Sequence, residues 1–208
     1  MAENLTRTGV RRAGDDYQDI FALDILVEWI EHPDRYVWVR LEATDAGVLD
    51  DVVALRTDGT LLAKQVKFSA HPEDPDDPYT WEQLLTAPPS KRGAPLRSLL
   101  GKWFDSLRTL QGQSSNVQAC LVSNRKPADE LKSAFRPLSD LIDFDRITDP
   151  NVRTTLQNQL GTEGDVKAFF GIFTLELDRP GLDVLEQAVF AAISRVRAFR
   201  SRMDTPER

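Results

Sequence analysis

Along the first third of the chain the apolar positions change period. Between Asp15 and Ile30, Tyr17, Ile20, Phe21, Ile25 and Trp29 recur close to every 3.6 residues, which predicts a helix with one buried stripe. Gly14-Asp15 reads as its start. His32-Pro33 reads as its end, because the residue before a proline is pushed out of the α region. Three runs rich in β-branched and aromatic residues then predict strands over Tyr36–Ala43, Asp51–Thr57 and Leu61–Ser69. Asp45-Ala46-Gly47 predicts a turn between the first two. Asp58-Gly59, between two apolar runs, predicts a tight hairpin joining the second and third.

Beyond Ser69 the pattern alternates more slowly. His71–Pro78 packs four acids and three prolines into eight residues and reads as an extended loop, either a solvated connector or an acid-rich metal-binding stretch. A short helix is predicted over Trp81–Leu85, a basic loop over Pro88–Gly93, and a helix over Ala94–Leu110 with Leu96, Leu99, Leu100, Trp103, Phe104 and Leu107 on one face. Asn116–Ser123 reads as a buried strand, Ala128–Phe135 and Asn151–Leu160 as helices, and Phe170–Leu177 as a last strand. Pro180-Gly181 opens a closing helix from Leu182 to Arg202, which turns basic at Arg195, Arg197, Arg200 and Arg202. Helices interleaved with strands in this way predict an α/β fold.

Composition narrows the class. At 208 residues and 41% hydrophobic content, the chain suits one α/β domain and neither a disordered nor a fibrous protein. No apolar run approaches the roughly 20 residues that span a bilayer, so no membrane association is expected. MAENLTRTGVRRAGDD lacks the apolar centre of a secretory signal, and a cytoplasmic location is expected. The single cysteine, Cys120, excludes an internal disulfide framework and a zinc site built from several thiolates. It lies in an apolar strand with no histidine near it in sequence, and reads as a small core residue.

Charge complicates the picture. The net charge of −7 argues against a protein that lives on nucleic-acid backbone. Yet residues 1–90 hold 8 basic and 18 acidic side chains, residues 91–136 hold 9 and 3, and residues 137–208 hold 9 and 12. The middle segment is locally cationic, either as a solvated surface or as a contact for phosphates.

The three-strand unit carries the candidate chemistry. Side chains alternate along a strand, so Gln65 and Lys67 share a face while Val66 points into packing. A lysine on an apolar strand is costly to bury unless its charge is used. Asp50 and Asp51 open the preceding strand, and the hairpin makes the two strands neighbours. A carboxylate from Asp51 and the Gln65 carbonyl, with Lys67 beside them, would suit Mg²⁺ at one edge of a small sheet. The same spacing also fits a solvent-facing lysine.

Gly14-x-x-Tyr17-Gln18 opening a helix, Glu42 ending a strand, Asp50-Asp51-Val52-Val53 and Gln65-Val66-Lys67, taken in order, resemble the PD-(D/E)xK nuclease superfamily. In particular the set looks like the DNA endonuclease domain of bacterial antiphage effectors: CBASS-associated endonucleases, Lamassu effectors and the N-terminal domains of some antiviral STAND ATPases. Val122-Ser123-Asn124-Arg125 and the last strand with its long helix are similar to that group as well. The resemblance is specific over residues 14–69 and diffuse after them.

The resemblance implies a restriction-endonuclease-like core, a small mixed central sheet flanked by helices, in a single nuclease domain over 1–208. Its basic helical segment is 91–136 and its closing strand and helix are 170–202. It makes Asp51 the metal-binding acid, Gln65 a second ligand, Lys67 the catalytic lysine, Glu42 and Asp50 supporting carboxylates with Glu42 a further metal ligand, and Gln18 a first-helix group facing the site. Gln65 replaces the acid of the superfamily's name. Gln18 also reads as a surface amide, and Asp50 as the end of the Gly47–Leu49 turn.

The implied activity is Mg²⁺- or Mn²⁺-dependent cleavage of double-stranded DNA with low sequence specificity, in antiphage defence, switched on by clustering. Lys91, Arg92, Arg97, Lys102, Arg108, Arg125 and Lys126 would then hold duplex phosphates. No GxxxxGK[ST] loop is present, so a sensor or ATPase is expected on another chain or beyond Arg208. The alternatives are a catalytically silent nuclease-like module that binds a partner or nucleic acid, and a restriction or repair nuclease.

Overall fold

The computed structural model describes residues 7–203, apart from 73, 75–76 and 90–95. Its sheet begins with the predicted meander: β1 (Tyr36–Leu41), β2 (Val52–Arg56) and β3 (Leu61–Lys67) pair antiparallel in sequence order. Asp58-Gly59 makes the hairpin. Gly59 takes a positive φ of 85°, its N–H donates to the Arg56 carbonyl at 3.0 Å, and the Asp58 carboxylate accepts from the Thr60 N–H at 2.8 Å.

A parallel partner needs a crossover. The chain leaves β3 through α2 (Trp81–Leu85) and α3 (Leu99–Gln111) and returns as β4 (Val117–Ser123), parallel to β3. Further helical turns, α4 (Asp129–Lys132), α5 (Pro150–Leu160) and α6 (Glu163–Ile172), lead to β5 (Phe173–Glu176), parallel to β4, and α7 (Leu182–Met203) closes the chain. The protein is therefore an α/β structure with a five-stranded mixed sheet, order β1-β2-β3-β4-β5, flanked by helices.

Alternation along the strands divides the core. One face sends Val53, Leu61, Ala63, Ala119, Leu121, Phe173 and Leu175 into a cluster closed by α2, α3, α5 and α6. The other sends Val52, Ala54, Val66, Cys120 and Val122 toward α1 (Arg7–Glu31), which contributes Tyr17, Ala22 and Ile25. Helices α1 and α7 also pack on each other through Ile20, Val27, Val189 and Ala192. Cys120 is buried in this face, and burial pushes its thiol up to about 12, as a core residue requires. Among the described residues no helix is long and apolar enough to cross a membrane.

Four elements differ from what the sequence pattern predicts. Helix α1 starts at Arg7 and runs through Gly14, where an added Cβ would meet only open space. Helix α3 starts at Leu99, capped by Ser98, whose hydroxyl accepts from the Gly101 N–H at 3.1 Å; Leu96 stays outside it and exposed. Phe170 to Ile172 end a helix rather than begin a strand. An aromatic run satisfies either period, and the deciding signal is the capping box of Thr162 and Asp165. The predicted helix over Ala128–Phe135 shrinks to the single turn of α4.

Gly47 is the tightest backbone position near the sheet. It has φ 71°, and a Cβ there would run into Ser106, whose own Cβ lies 3.1 Å away and whose Oγ accepts from the Val48 N–H at 3.0 Å. Gly47→Ala is expected to cost about 1–3 kcal/mol, from positive-φ strain and overpacking together. Gly59→Ala, with open space around it, should cost less. Urea denaturation of the two variants checks the order.

Candidate active site

Three elements meet at the Asp51 carboxylate. The β1–β2 ladder continues past the strands, with the Ala43 N–H donating to the Asp50 carbonyl at 2.7 Å and the Glu42 N–H to the Asp51 carbonyl at 3.1 Å. The register Val52↔Lys64 then sets Asp51 opposite Gln65. From α1, Gln18 Nε2 donates to Asp51 Oδ1 at 2.9 Å. From β3, the Val66 N–H donates to Oδ2 at 2.6 Å, and Gln65 Nε2 donates to the same oxygen. An ionised carboxylate is an acceptor only, and all three partners are N–H donors.

Electrostatics at this point are divided. Burial pushes the Asp51 carboxyl above the ordinary aspartate range. The Val66 N–H, the Lys67 charge and the Gln65 amide oppose that push, and the neighbouring Asp50 charge adds to it. Lys67 stands exposed at the end of β3, in register with Ser123 of β4. Just beyond it, Asn124 clasps Ser69: its Oδ1 accepts from the Ser69 N–H and its Nδ2 donates to the Ser69 carbonyl, both at 2.8 Å. That clasp continues the alignment of β3 and β4 past Lys67. Its only trace in the sequence is a polar pair after two apolar runs.

Thus Asp51 and Gln65 come together with Lys67 within electrostatic reach, as the hairpin spacing predicts, and Gln18 joins them from α1. Gln65, only 4% exposed, turns its nitrogen to Asp51, so its carbonyl does not stand beside the carboxylate as a paired ligand. Glu42 is joined to Asp51 by backbone alone; it leaves β1 with φ 49° and an exposed side chain. Asp50 is half-buried beside Asp51. Among the described residues no three carboxylate, imidazole or thiol side chains stand close enough to hold a metal. The costly buried lysine of β3 is also Lys64 rather than Lys67. Lys64 pairs with Glu176 at 3.2 Å and sits 5.4 Å from the Phe21 ring centroid, under α1.

The donor set still fits one kind of cation. Oδ2 of Asp51 accepts two bonds and is filled, whereas Oδ1 accepts one and keeps a lone pair. A hard ion such as Mg²⁺ is commonly held by one or two carboxylates, completing its shell with water and substrate phosphates. Asp51 Oδ1, with Asp50 adjacent, offers that and no more.

The expected phosphate contacts divide. Arg97 forms a bidentate pair with Asp105 at 2.7 and 2.9 Å and donates to the Gln159 carbonyl at 3.1 Å. Arg125 binds Asp77, the Pro78 carbonyl and Gln83, and lies 4.5 Å over the Tyr79 ring, so its work is to tie down the acidic loop. Lys102 is half-buried on α3, and Arg108 lies exposed, 5.8 Å from the Phe104 ring. Lys126 engages Tyr79 through its backbone carbonyl. Lys91 and Arg92 lie outside the described residues. Because α1 begins at Arg7, exposed Arg11 falls seven residues before Gln18, on the same face of that helix.

Compared with known proteins, the chain matches no family model and no curated sequence.

Asp51 provides a test of what the node is for. Because its folded pKa is raised, the native state keeps the proton to higher pH than the unfolded chain, and ionisation destabilises the fold as pH rises through that interval. Asp51→Asn should match or exceed the wild-type melting temperature at neutral pH. Asp51→Ala should fall by about 1–3 kcal/mol, because it strands the Val66 N–H and the Gln65 amide. Thermal melts from pH 3 to 8 measure both.

Proposed function

We propose that this protein is a metal-dependent DNA endonuclease domain of the PD-(D/E)xK type, cutting with little sequence specificity as an effector of bacterial antiphage defence activated by self-association. The observation that carries the reading is the Asp51 node: side chains from the first helix, the second strand and the third strand converge on one half-buried carboxylate, with a lysine two residues beyond the glutamine. A carboxylate at such a cost in burial calls for a use.

The roles follow from position. Asp51, through Oδ1, would hold Mg²⁺ or Mn²⁺, which when bound supplies Lewis-acid polarisation and a more acidic water. Gln65 and the Val66 N–H fix the carboxylate's orientation through Oδ2. Lys67 places a positive charge at the exposed mouth of the site, where it orients the attacking water and stabilises charge developing on the phosphate. Arg11 offers a phosphate contact two turns along α1.

A second reading, a nuclease-like module that binds without cutting, draws on two observations. Both Asp51 oxygens already accept protein donors, and among the described residues no three carboxylate, imidazole or thiol side chains stand close enough to hold a metal.

Plasmid incubated with Mg²⁺ or Mn²⁺ separates the two, at protein concentrations that allow self-association. Lys67→Ala should cut at least about a hundredfold more slowly than wild type, the range for loss of one catalytic group. Equal cutting, or none by wild type, rules out the nuclease. Arg11→Ala should weaken DNA binding at low salt and reduce the salt slope by about one, with fold stability unchanged. A salt titration by fluorescence anisotropy measures it.

A further inference from the structure

Of the three donors on Asp51, two belong to β3 and are set by the sheet, whereas the third comes from a different layer. Gln65 Nε2 and the Val66 N–H fill Oδ2 from the strand next door. Gln18 Nε2 reaches Oδ1 from α1. Oδ1 is the oxygen with a lone pair to spare, and the amide's positive end points at the charge that a cation would need. We propose that Gln18 is a latch on the site: its amide competes with divalent metal for Asp51, so that the resting domain binds metal weakly, and release of α1 from its seat raises the affinity. The inference rests on the reading of Asp51 as a metal ligand and adds how that ligand is regulated.

The seat of the latch is built beside it. Tyr17, adjacent to Gln18 and 1% exposed, donates its hydroxyl to the Pro180 carbonyl at 3.2 Å, just ahead of α7. Its ring lies 5.3 Å from that of Phe68, the residue after Lys67. Farther along, α1 and α7 pack on each other through Ile20, Val27, Val189 and Ala192. Gln18 is therefore positioned by a helix pair resting on the sheet, and a shift of that pair relative to β3 moves Tyr17 and Gln18 together. The β2–β3 donors would stay where the ladder holds them. The device thus separates what orients Asp51 from what occupies it.

Calorimetric titration of Mn²⁺ into the full chain tests this without any turnover. Wild type, Gln18→Ala, Gln18→Leu, Tyr17→Phe and Asp51→Ala are compared, each first shown to melt cooperatively. Gln18→Ala and the similarly sized, donor-free Gln18→Leu should both bind Mn²⁺ about tenfold more tightly than wild type, the scale of one lost hydrogen bond to a charged group. Tyr17→Phe should shift affinity in the same direction by less, because the ring contact with Phe68 survives. Asp51→Ala should show no such site. Unchanged or weaker binding in both Gln18 variants, with binding still lost in Asp51→Ala, overturns the latch and leaves the metal site standing. No Asp51-dependent binding even in the Gln18 variants overturns the metal site and the latch with it.

Discussion

One half-buried carboxylate organises the centre of this protein. Asp51 accepts hydrogen bonds from α1, from a β3 side chain and from the β3 backbone, and so ties β2 both to its neighbouring strand and to the helix layer. The backbone bond and Gln65 hold the start of β2 against the end of β3. Gln18 holds the first helix over that same corner. Burial raises the carboxyl's pKa, so the arrangement carries a standing electrostatic cost that the surrounding fold offsets.

That corner stays in place because both sheet faces are covered and the helices on one face are locked to each other. Tyr17 reaches Pro180, Phe21 carries Lys64 above its ring, and Lys64 pairs with Glu176 on the far side of β4. The first two tie α1 to the segment ahead of α7 and to β3, and the third ties β3 to β5. A largely buried ion pair is a poor source of stability in itself, but losing one partner would leave an uncompensated charge in the core, which favours this packing over alternatives.

Charge is used locally here. Arg97 and Arg125 sit in the basic segment yet spend their guanidinium groups on Asp105, Asp77 and backbone carbonyls, bracing α3 and the acidic loop. These two members of the basic segment therefore serve as scaffolding. Arg11 and Lys67, by contrast, stand exposed toward the ends of the elements that carry Gln18 and Gln65.

Periodicity alone determined the α/β class, the meander and its Asp58-Gly59 turn, the strand carrying Cys120 and the long closing helix. These depend on side-chain alternation and on turn residues with local conformational needs. The facing of Asp51 and Gln65 was also legible, because a hairpin fixes which residues of neighbouring strands face each other, whereas Gln18 was expected there only from the family resemblance. Only the tertiary structure decided which lysine of β3 is buried, since Lys64 and Lys67 differ in what covers them rather than in sequence context. It also decided that the Gln65 nitrogen faces Asp51 and that Glu42 turns away. Likewise it alone assigned Arg97 and Arg125 to ion pairs. Each of these turns on contacts between residues up to more than a hundred positions apart, such as Lys64 with Glu176, and such pairings arise from packing that no local pattern encodes.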